Sequence, residues 1–430
     1  MHRKILTPYN CVLAGIIAAG ALLRILFALF MPTEQLYDFA TYLELARNIN
    51  NGLGHTLNGI PVAWQGPLYP YVLGFFFRIT LTDSEIAAKV LNIILSSLTL
   101  ILSERVYSKL FKSKGKTAAA VAITAFLPAN IAYVNVLGTE VLFVFLLMLI
   151  FYLHLSRTGI AWYAVVGILT GLAALTKPFM LVFPAALALV FWFQSKKLKQ
   201  TAIFAAVVAF AALLTVSPWM VRNWRMFGRF IPVSYNAGYV RYINNNDHNA
   251  NGLWMDLTAA AEGKPEAADI AAHLEDAGEA GVKAAYMLEP LLNEASGRWM
   301  RQNPFEFLKL GFLRVHTTFF GGGDDLPQWA MNAVDYGSER DKNAVEAALG
   351  IILAVFSAVS FVFAFMQIKP FLKGFIPINA ADVSSVFFFV FFVFFVVVIF
   401  ISEGQARYAF PVYPLMIYAF IALTGGKRGD

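Results

Sequence analysis

Long apolar runs separated by short polar connections dominate the chain. Runs long enough to span a membrane lie near residues 11–31, 86–104, 117–136, 140–156, 161–176, 179–194, 201–218, 347–367, 384–402 and 408–424. About 20 apolar residues suffice for a helix to cross a bilayer. The pattern predicts an all-α polytopic membrane protein with about ten transmembrane helices. We interpret the first run as a retained span, because no small-residue cleavage site follows it.

The composition supports this prediction and excludes several other classes of protein. Hydrophobic residues make up 59% of the 430 positions and charged residues only 14%, against roughly 25% charged residues in soluble domains. A disordered chain and a typical soluble enzyme are therefore excluded. The single cysteine, Cys11, excludes a disulfide scaffold and a site of several thiolates.

Basic residues cluster in alternate connections between the runs. They are Arg3, Lys4, Arg105, Lys109, Lys112, Lys114, Lys116, Arg157, Lys196, Lys197, Lys199, Lys369, Lys373, Lys427 and Arg428. Cytoplasmic loops carry such an excess of Lys and Arg. We therefore expect a multi-pass plasma-membrane protein with both termini in the cytoplasm. The same placement of the charge argues against nucleic-acid binding.

The opposite face then carries two larger segments. One is a first outer loop, residues 32–85, and the other is a hydrophilic stretch, residues 219–345, with 12 Lys/Arg and 16 Asp/Glu. We predict a transmembrane module over 1–218, a mostly helical extracytoplasmic domain over 219–345, and C-terminal transmembrane helices over 346–430. Within the second of these, the Asn-rich start is predicted as loops and turns, followed by helical sequence over 259–300 and 304–320.

Two short apolar segments in the first outer loop fit helices along the membrane surface. One starts at Asp38 and has apolar residues at helical spacing to about Asn50. The other, Pro67–Thr80, has only 14 residues and is too short to span. We predict that both lie in the interface. A break at Lys177-Pro178 separates two further short runs and is typical of backbone that lines a cavity.

Charged residues at the outer ends of the runs are the candidates for chemistry. Asp38 has two interpretations, a helix N-cap or a general base at the mouth of a membrane cavity. Glu140 is either favoured by a helix dipole or functional. A cation such as Lys177 is costly at a break in the membrane unless it is hydrated, paired or functional. Arg24, inside the first run, either snorkels to the interface or serves a function.

Other chemistries lack their sequence signatures. The chain has no P-loop, no G-x-G-x-x-G, no G-x-S-x-G and no His-x-x-x-His arrangement. We therefore predict no metal site and no cofactor. The short cytoplasmic loops leave no room for a soluble nucleotide-sugar site on that face.

Six stretches follow one another in the order found in the GT-C superfamily of membrane glycosyltransferases. They read LYDFATYLELARNINNG, AWQGPLYPYVLGFFFRI, LGTEVLFVFLL, LTKPFMLVFP, SPWMVRNWRMFGRFIPVSYNAG and ARYAFPVYPL. The chain resembles the protein O-mannosyltransferase and lipid A aminoarabinose transferase type most. The resemblance implies a GT-C-like fold, with two juxtamembrane helices in the first outer loop and spans around a cavity open to the outside.

The resemblance also implies an activity and assigns roles. Such enzymes transfer a sugar from a polyprenyl monophosphate to a lipid, glycan or protein acceptor, with inversion and without a cofactor. Asp38 matches the first-loop acid that activates the acceptor. Glu140 matches a second acidic position near the site, and Gln65 stands where related enzymes carry a charged pair. Cations for the donor phosphate are expected at Lys177, Arg222 and Arg407, the last followed by Tyr408.

The sequence departs from its relatives at two points. Asp38 is followed by Phe39, where several protein mannosyltransferases have a second acid, and Gln65 replaces charge before Pro67. The acceptor therefore stays open. Two other functions also stay open, a glycan polymerase or ligase with a lipid-diphosphate donor, and a glycolipid transporter or flippase. The absence of symmetric halves argues against the transporter.

Overall fold

The computed structural model describes residues 7–277, 281–373 and 382–425. Apart from one two-stranded hairpin, β1 (Thr56–Leu57) and β2 (Ile60–Pro61), the regular elements of these residues are helical. The helices are α1 (Pro8–Phe30), α2 (Asp38–Asn50), α3 (Leu68–Thr80), α4 (Glu85–Phe111), α5 (Lys114–Phe126), α6 (Pro128–Ala132), α7 (Thr139–Ser156), α8 (Ile160–Ala174), α9 (Phe183–Ser195), α10 (Leu198–Phe227), α11 (Ala237–Asn244), α12 (Leu257–Ala261), α13 (Ala267–Ala277), α14 (Gly281–Gln302), α15 (Pro304–Phe320), α16 (Asp325–Trp329), α17 (Glu339–Lys373), α18 (Val383–Ile401) and α19 (Tyr413–Thr424). Three 3-10 turns cover Tyr133–Asn135, Pro178–Val182 and Ala406–Val412.

Each of the ten predicted apolar runs falls on helical structure. Among the described residues, eight helical segments are long and apolar enough to cross a membrane, and the pair from Lys114 to Asn135, bent by 56° at Pro128, would make a ninth. The remaining predicted run, 161–176, corresponds to α8, which is shorter than these spans. The predicted all-α polytopic fold is confirmed. The basic positions Arg3, Lys4, Lys427 and Arg428 lie outside the described residues.

Aromatic packing holds the spans around the site together. Phe151 in α7 lies 4.8 Å from Phe391 in α18, measured between ring centroids, and Phe183 in α9 lies 5.1 Å from the same ring. Phe179, in the 3-10 turn after Lys177, packs edge-on against Phe395. Because lipid tails are as apolar as these rings, the rings stabilise the bundle by close van der Waals packing and not by removal from water. The packing therefore fixes the turn after Lys177 against α18.

Arg24 does not snorkel to the interface. Its side chain is buried between α1, α4 and α5, and it donates to Ser96 Oγ at 2.7 Å and to the carbonyls of Gly20 and Ala125. The carbonyl of Ala125 is available because the helix breaks before Pro128, so the residues that follow form no α-helical bond to it. The interpretation of Arg24 as a snorkelling side chain is wrong.

The segment after α10 is more ordered than the sequence suggests. The seventh span continues through Pro218 to Phe227, past the predicted end of the transmembrane module. The Asn-rich stretch predicted as loops contains α11. The helical sequence over 259–300 is divided into three helices, with Gly263 at a positive φ of 68° between the first two. The predicted helix over 304–320 is α15.

Candidate active site

A cavity of about 390 Å³ lies where the first outer loop meets the turn at Lys177, α11 and the loop before α19. This volume is within the range of small-molecule sites, roughly 300–1,000 Å³. Six of the seven predicted site residues line it: Asp38, Gln65, Glu140, Lys177, Arg407 and Tyr408. A larger depression of about 770 Å³ over residues 324–346 contains none of them. We therefore take the smaller cavity as the candidate site.

Asp38 is the accessible carboxylate of the cavity. It is the first residue of α2, after Tyr37 at φ 51°. Its Oδ1 accepts a hydrogen bond from Gln65 Nε2 at 2.6 Å, and its Oδ2 lies 3.0 Å from an Arg407 nitrogen. The interpretation as an N-cap is wrong, because Tyr37 occupies the cap position and the carboxylate points to the cavity. With 38% of the side chain exposed, Asp38 can meet a second molecule.

Glu140 and Lys177 form a second ion pair on the same cavity. Lys177 Nζ donates to Glu140 Oε1 at 3.0 Å, and the side chains are 19% and 4% exposed for the lysine and the glutamate. The ammonium also lies 5.6 Å from the ring centre of Tyr408. Glu140 Oε2 is buried and has no hydrogen-bond partner among the described residues. The enclosed Glu140 therefore holds Lys177, which faces the cavity.

Glycines bring these segments close together. At Gly66 a Cβ would lie 2.5 Å from the carbonyl oxygen of Leu175, which also accepts the Leu68 amide at 3.0 Å. The first outer loop is thus docked on the backbone just before Lys177. At Gly138 a Cβ would lie 2.5 Å from Glu140 Oε2 and 2.8 Å from the Phe39 ring. Close approach at both points sets the distance between α2 and the two ion pairs.

Arg222 lies away from the residues that line this cavity. Its guanidinium donates to the carbonyls of Val62 and His55, at 2.8 and 3.2 Å, and stacks over Trp219 at 4.6 Å. Next to it, burial and then the charge of Arg222 lower the pKa of His55 to about 3. His55 is therefore neutral at physiological pH. These contacts hold the hairpin of the first outer loop against α10.

Two acids near the site, the buried Glu403 and the partly buried Asp325, were not predicted from the sequence. Glu403 lines the cavity and accepts hydrogen bonds from Tyr408 Oη and Gln405 Nε2, each at 2.7 Å. Asp325 accepts from Tyr133 Oη at 2.8 Å, and burial raises its pKa to about 7. In the sequence, Glu403 directly follows the apolar run 384–402, and Asp325 ends a Gly-Gly-Gly-Asp-Asp stretch. Their only sequence signal is an acid beside an apolar run.

Trp329, which lies in the same short helix as Asp325, connects that helix to the first outer loop. Its ring packs edge-on against Phe39 at 5.4 Å, and the Arg407 guanidinium lies 5.6 Å from it. The short helix α16 therefore closes one side of the Asp38–Arg407 pair. Among the described residues, no group of three or more His, Cys, Asp and Glu side chains could hold a metal ion.

Comparisons with known proteins bear on the fold and on the family resemblance. Residues 64–221 match the sequence model of the dolichyl-phosphate-mannose-protein mannosyltransferase family. The oligosaccharyltransferase of Archaeoglobus fulgidus, in a crystal structure with zinc and sulfate, aligns over 96% of this chain and 49% of its own, with 14% identity and a TM-score of 0.53. The chain has the GT-C fold. No curated protein matches it in sequence.

Two further solved structures are similar to the chain to differing degrees. The archaeal oligosaccharyltransferase AglB from Archaeoglobus fulgidus, with an inhibitory peptide and a dolichol-phosphate, has 14% identity, a TM-score of 0.51 and coverage of 97% and 50%. ArnT from Cupriavidus metallidurans, bound to undecaprenyl phosphate, has 12% identity, a TM-score of 0.45 and coverage of 94% and 77%. The chain thus spans about half the length of the oligosaccharyltransferase chains. The expected resemblance to GT-C enzymes is confirmed.

Proposed function

We propose that the protein is an inverting glycosyltransferase. It moves a sugar from a polyprenyl-monophosphate donor to a hydroxyl group of a lipid, glycan or protein acceptor, on the outer face of the membrane. The observation that carries the proposal is the Asp38 carboxylate, accessible in a cavity that it shares with two cations, Lys177 and Arg407. The fold and the partial match to a mannosyltransferase family support it.

The two cations suit the donor phosphate. A guanidinium binds two oxygens of a phosphate with parallel hydrogen bonds, and an ammonium adds a point charge. Arg407 and Lys177 both flank the Tyr408 ring, at 5.4 and 5.6 Å from its centre. A phosphate placed between them would contact both. AglB, which has this fold, was solved with a dolichol-phosphate. We propose that the present protein also binds a polyprenyl phosphate and that the lipid tail stays in the bilayer.

The reaction follows from this placement. The acceptor oxygen attacks the anomeric carbon of the sugar and passes its proton to Asp38. The bond between that carbon and the phosphate oxygen breaks, and its electron pair leaves with the polyprenyl phosphate. Fixed cations stabilise the charge that develops on the leaving group, while the base contributes about 10²–10⁴-fold. A single displacement inverts the anomeric centre.

The remaining residues position these groups. Gln65 donates to Asp38 and orients its carboxylate. Glu140 holds Lys177 from behind, since only 4% of its side chain is exposed. Arg222 was expected at the phosphate, but its contacts with Val62 and His55 favour a role in holding the first outer loop. We propose that the phosphate site consists of Lys177, Arg407 and Tyr408.

The donor class is the direct test. Purified protein in nanodiscs is given a labelled sugar on undecaprenyl monophosphate, and separately on undecaprenyl diphosphate, with a crude membrane extract as acceptor. The proposal predicts labelled product and free undecaprenyl monophosphate from the first donor alone. Turnover of the diphosphate donor alone would favour a polymerase or ligase. In sealed proteoliposomes, movement of intact labelled lipid across the bilayer without cleavage would favour a flippase.

A further inference from the structure

One wall of the cavity is built by the segment that follows α10, together with Trp64 of the first outer loop. The residues that line the cavity there include three aromatic residues, Trp64, Tyr239 and Trp254, and one cationic residue, Arg241. We call these four residues the aromatic wall. The residues assigned above to donor and base do not include any of them.

Two rings of the aromatic wall pack against each other, and the third is exposed on the same cavity. Trp64 and Tyr239 pack edge-on with centroids 5.0 Å apart. Trp254 lines the same cavity with 56% of its surface exposed. An exposed indole offers an apolar ring face to a ligand that enters the cavity. One face of a pyranose ring presents several C–H groups, which the electron-rich face of an aromatic ring attracts.

Arg241 differs from the other two cations of the cavity. Lys177 and Arg407 are each paired with a carboxylate at 3.0 Å. Arg241 donates one hydrogen bond, to the amide oxygen of Asn293 at 2.7 Å, and forms no ion pair with any carboxylate in the part of the chain described. A guanidinium has five N–H donors. Its remaining donors suit a phosphate or a carboxylate.

Contacts with α14 hold two residues of the aromatic wall, Tyr239 and Arg241, in place. Glu289 in α14 accepts the backbone amides of Gly238 and Tyr239 at 2.8 and 3.2 Å, which anchors the start of α11. Asn293, one turn further along α14, holds Arg241. Protein side chains that are already held in their binding positions lose less conformational entropy when a ligand binds.

The Asn-rich sequence supplies the same rigidity to Trp254. The Asn249 side chain donates to the carbonyls of Ile243 and Leu253, at 2.9 and 2.8 Å, and accepts from the Gly252 amide at 2.7 Å. Arg314 then joins this region to the spans, because it donates both to Asn245 Oδ1 and to the carbonyl of Phe400. Side-chain amides thus replace regular backbone partners in the loop that presents Trp254.

We infer that the aromatic wall binds a saccharide bearing an anionic group, and that the acceptor of the proposed transferase belongs to this class. The identification of this saccharide as the acceptor rests on the proposed function. The binding of an anionic saccharide to the aromatic wall does not depend on that function. Peptide acceptors are commonly held as an added strand, and the described residues around the cavity offer only the short hairpin β1–β2 as a strand.

Binding to the full chain in nanodiscs tests the inference without turnover. The probes are methyl glucoside, glucuronic acid, glucose 1-phosphate and inorganic phosphate, measured by calorimetry or ligand-observed NMR. We expect saturable binding of the two anionic sugars, tighter than that of methyl glucoside or of phosphate alone. Comparing glucuronic acid with glucose 1-phosphate distinguishes a carboxylate from a phosphate as the preferred anion.

Variants assign the binding to the wall. Arg241→Gln should weaken binding of the anionic sugars about tenfold and leave methyl glucoside unchanged, as expected for one charge-assisted contact. Trp254→Ala should weaken binding of all three sugars about tenfold. Trp224→Ala and Arg301→Gln, both exposed outside the cavity, are the matched controls.

Two results would overturn the inference: no saturable binding of any sugar, or binding that both wall variants leave intact. Binding of undecaprenyl monophosphate is measured on the same preparations. If the lipid binds and the sugars do not, the inference about the wall fails and the proposed transferase remains. If the sugars bind and the lipid does not, the donor proposal fails and the saccharide site remains.

Discussion

Asp38 and Arg407 are 369 positions apart in the chain, and their side chains form an ion pair of 3.0 Å in the cavity. In the proposed reaction Arg407 is needed by the donor phosphate and Asp38 by the acceptor hydroxyl. Binding of the donor therefore draws Arg407 from Asp38 and leaves the carboxylate free to accept a proton. The pair links donor binding to activation of the base.

Lys177→Met should weaken the binding of undecaprenyl monophosphate about tenfold or more, since a hydrogen bond to a charged group contributes roughly 1.5–3 kcal/mol. The control is Lys309→Met, because Lys309 also lies 3.0 Å from a glutamate, Glu306, but on the exposed surface. Affinity measured in nanodiscs should be unchanged in that control. Equal affinity in Lys177→Met and the unmodified protein would remove Lys177 from the phosphate site.

Glu403→Ala should weaken donor binding and lower kcat, each roughly tenfold, because Tyr408 and Gln405 lose the acceptor that orients the turn carrying Arg407 and Tyr408. Glu403→Gln retains an amide oxygen that accepts the Tyr408 hydroxyl and should restore most of the rate. Steady-state kinetics of both variants test this. If Glu403→Gln were as impaired as Glu403→Ala, the charge of Glu403 would matter rather than its hydrogen bonds.

Asp325→Asn should change the pH dependence of stability. Burial raises the pKa of Asp325 to about 7, so the folded protein holds this proton more tightly than the unfolded chain. The corresponding stability is present at low pH and is lost as pH rises from about 4 to 7, up to about 4 kcal/mol. The amide introduced by the substitution cannot ionise. The apparent Tm of the variant should exceed that of the unmodified protein at pH 8, and the two should converge at pH 4. A difference independent of pH would contradict the ionisation of a buried Asp325.

Gly66→Ala should reduce both stability and activity. The added Cβ would lie within 2.6 Å of the carbonyl oxygens of Leu175 and Thr176, and overpacking of this kind costs about 1–3 kcal/mol. Gly15→Ala is the control, because nothing lies within 4 Å of its Cβ. Thermal unfolding and transfer assays on both should separate them. A Gly66→Ala protein as stable and active as the control would show that the loop does not depend on this contact.

Hydrophobic length and charge were sufficient to predict the spans. Each apolar run became helical because membrane helices satisfy their own backbone hydrogen bonds, and Lys177-Pro178 marked a true break. The Asn-rich segment was less predictable. Asn and Gly favour turns locally, yet Glu289, distant in sequence, supplies the contacts that support α11. Tertiary contacts outweighed local propensity there.

The sequence indicated most of the residues of the candidate site but not which of them form ion pairs with one another. Charges at span ends and the resemblance to known enzymes indicated Asp38, Glu140 and Lys177. Neither indicated that Arg407 would pair with Asp38, because that contact depends on how the last span packs. The resemblance also assigned Arg222 to the donor phosphate, and the contacts of its guanidinium with the first outer loop could not be predicted from the sequence. Glu403 was missed because an acid in a short turn has no distinguishing pattern.

The most direct test of the account is the transfer rate of Asp38→Asn beside that of Glu44→Gln, an exposed acid on the same helix. The account predicts a kcat lower by about 10²–10⁴-fold in Asp38→Asn, with undecaprenyl monophosphate bound at least as tightly because Arg407 is released. Glu44→Gln should match the unmodified protein. Transfer by Asp38→Asn at the unmodified rate would contradict the assignment of Asp38 as the base.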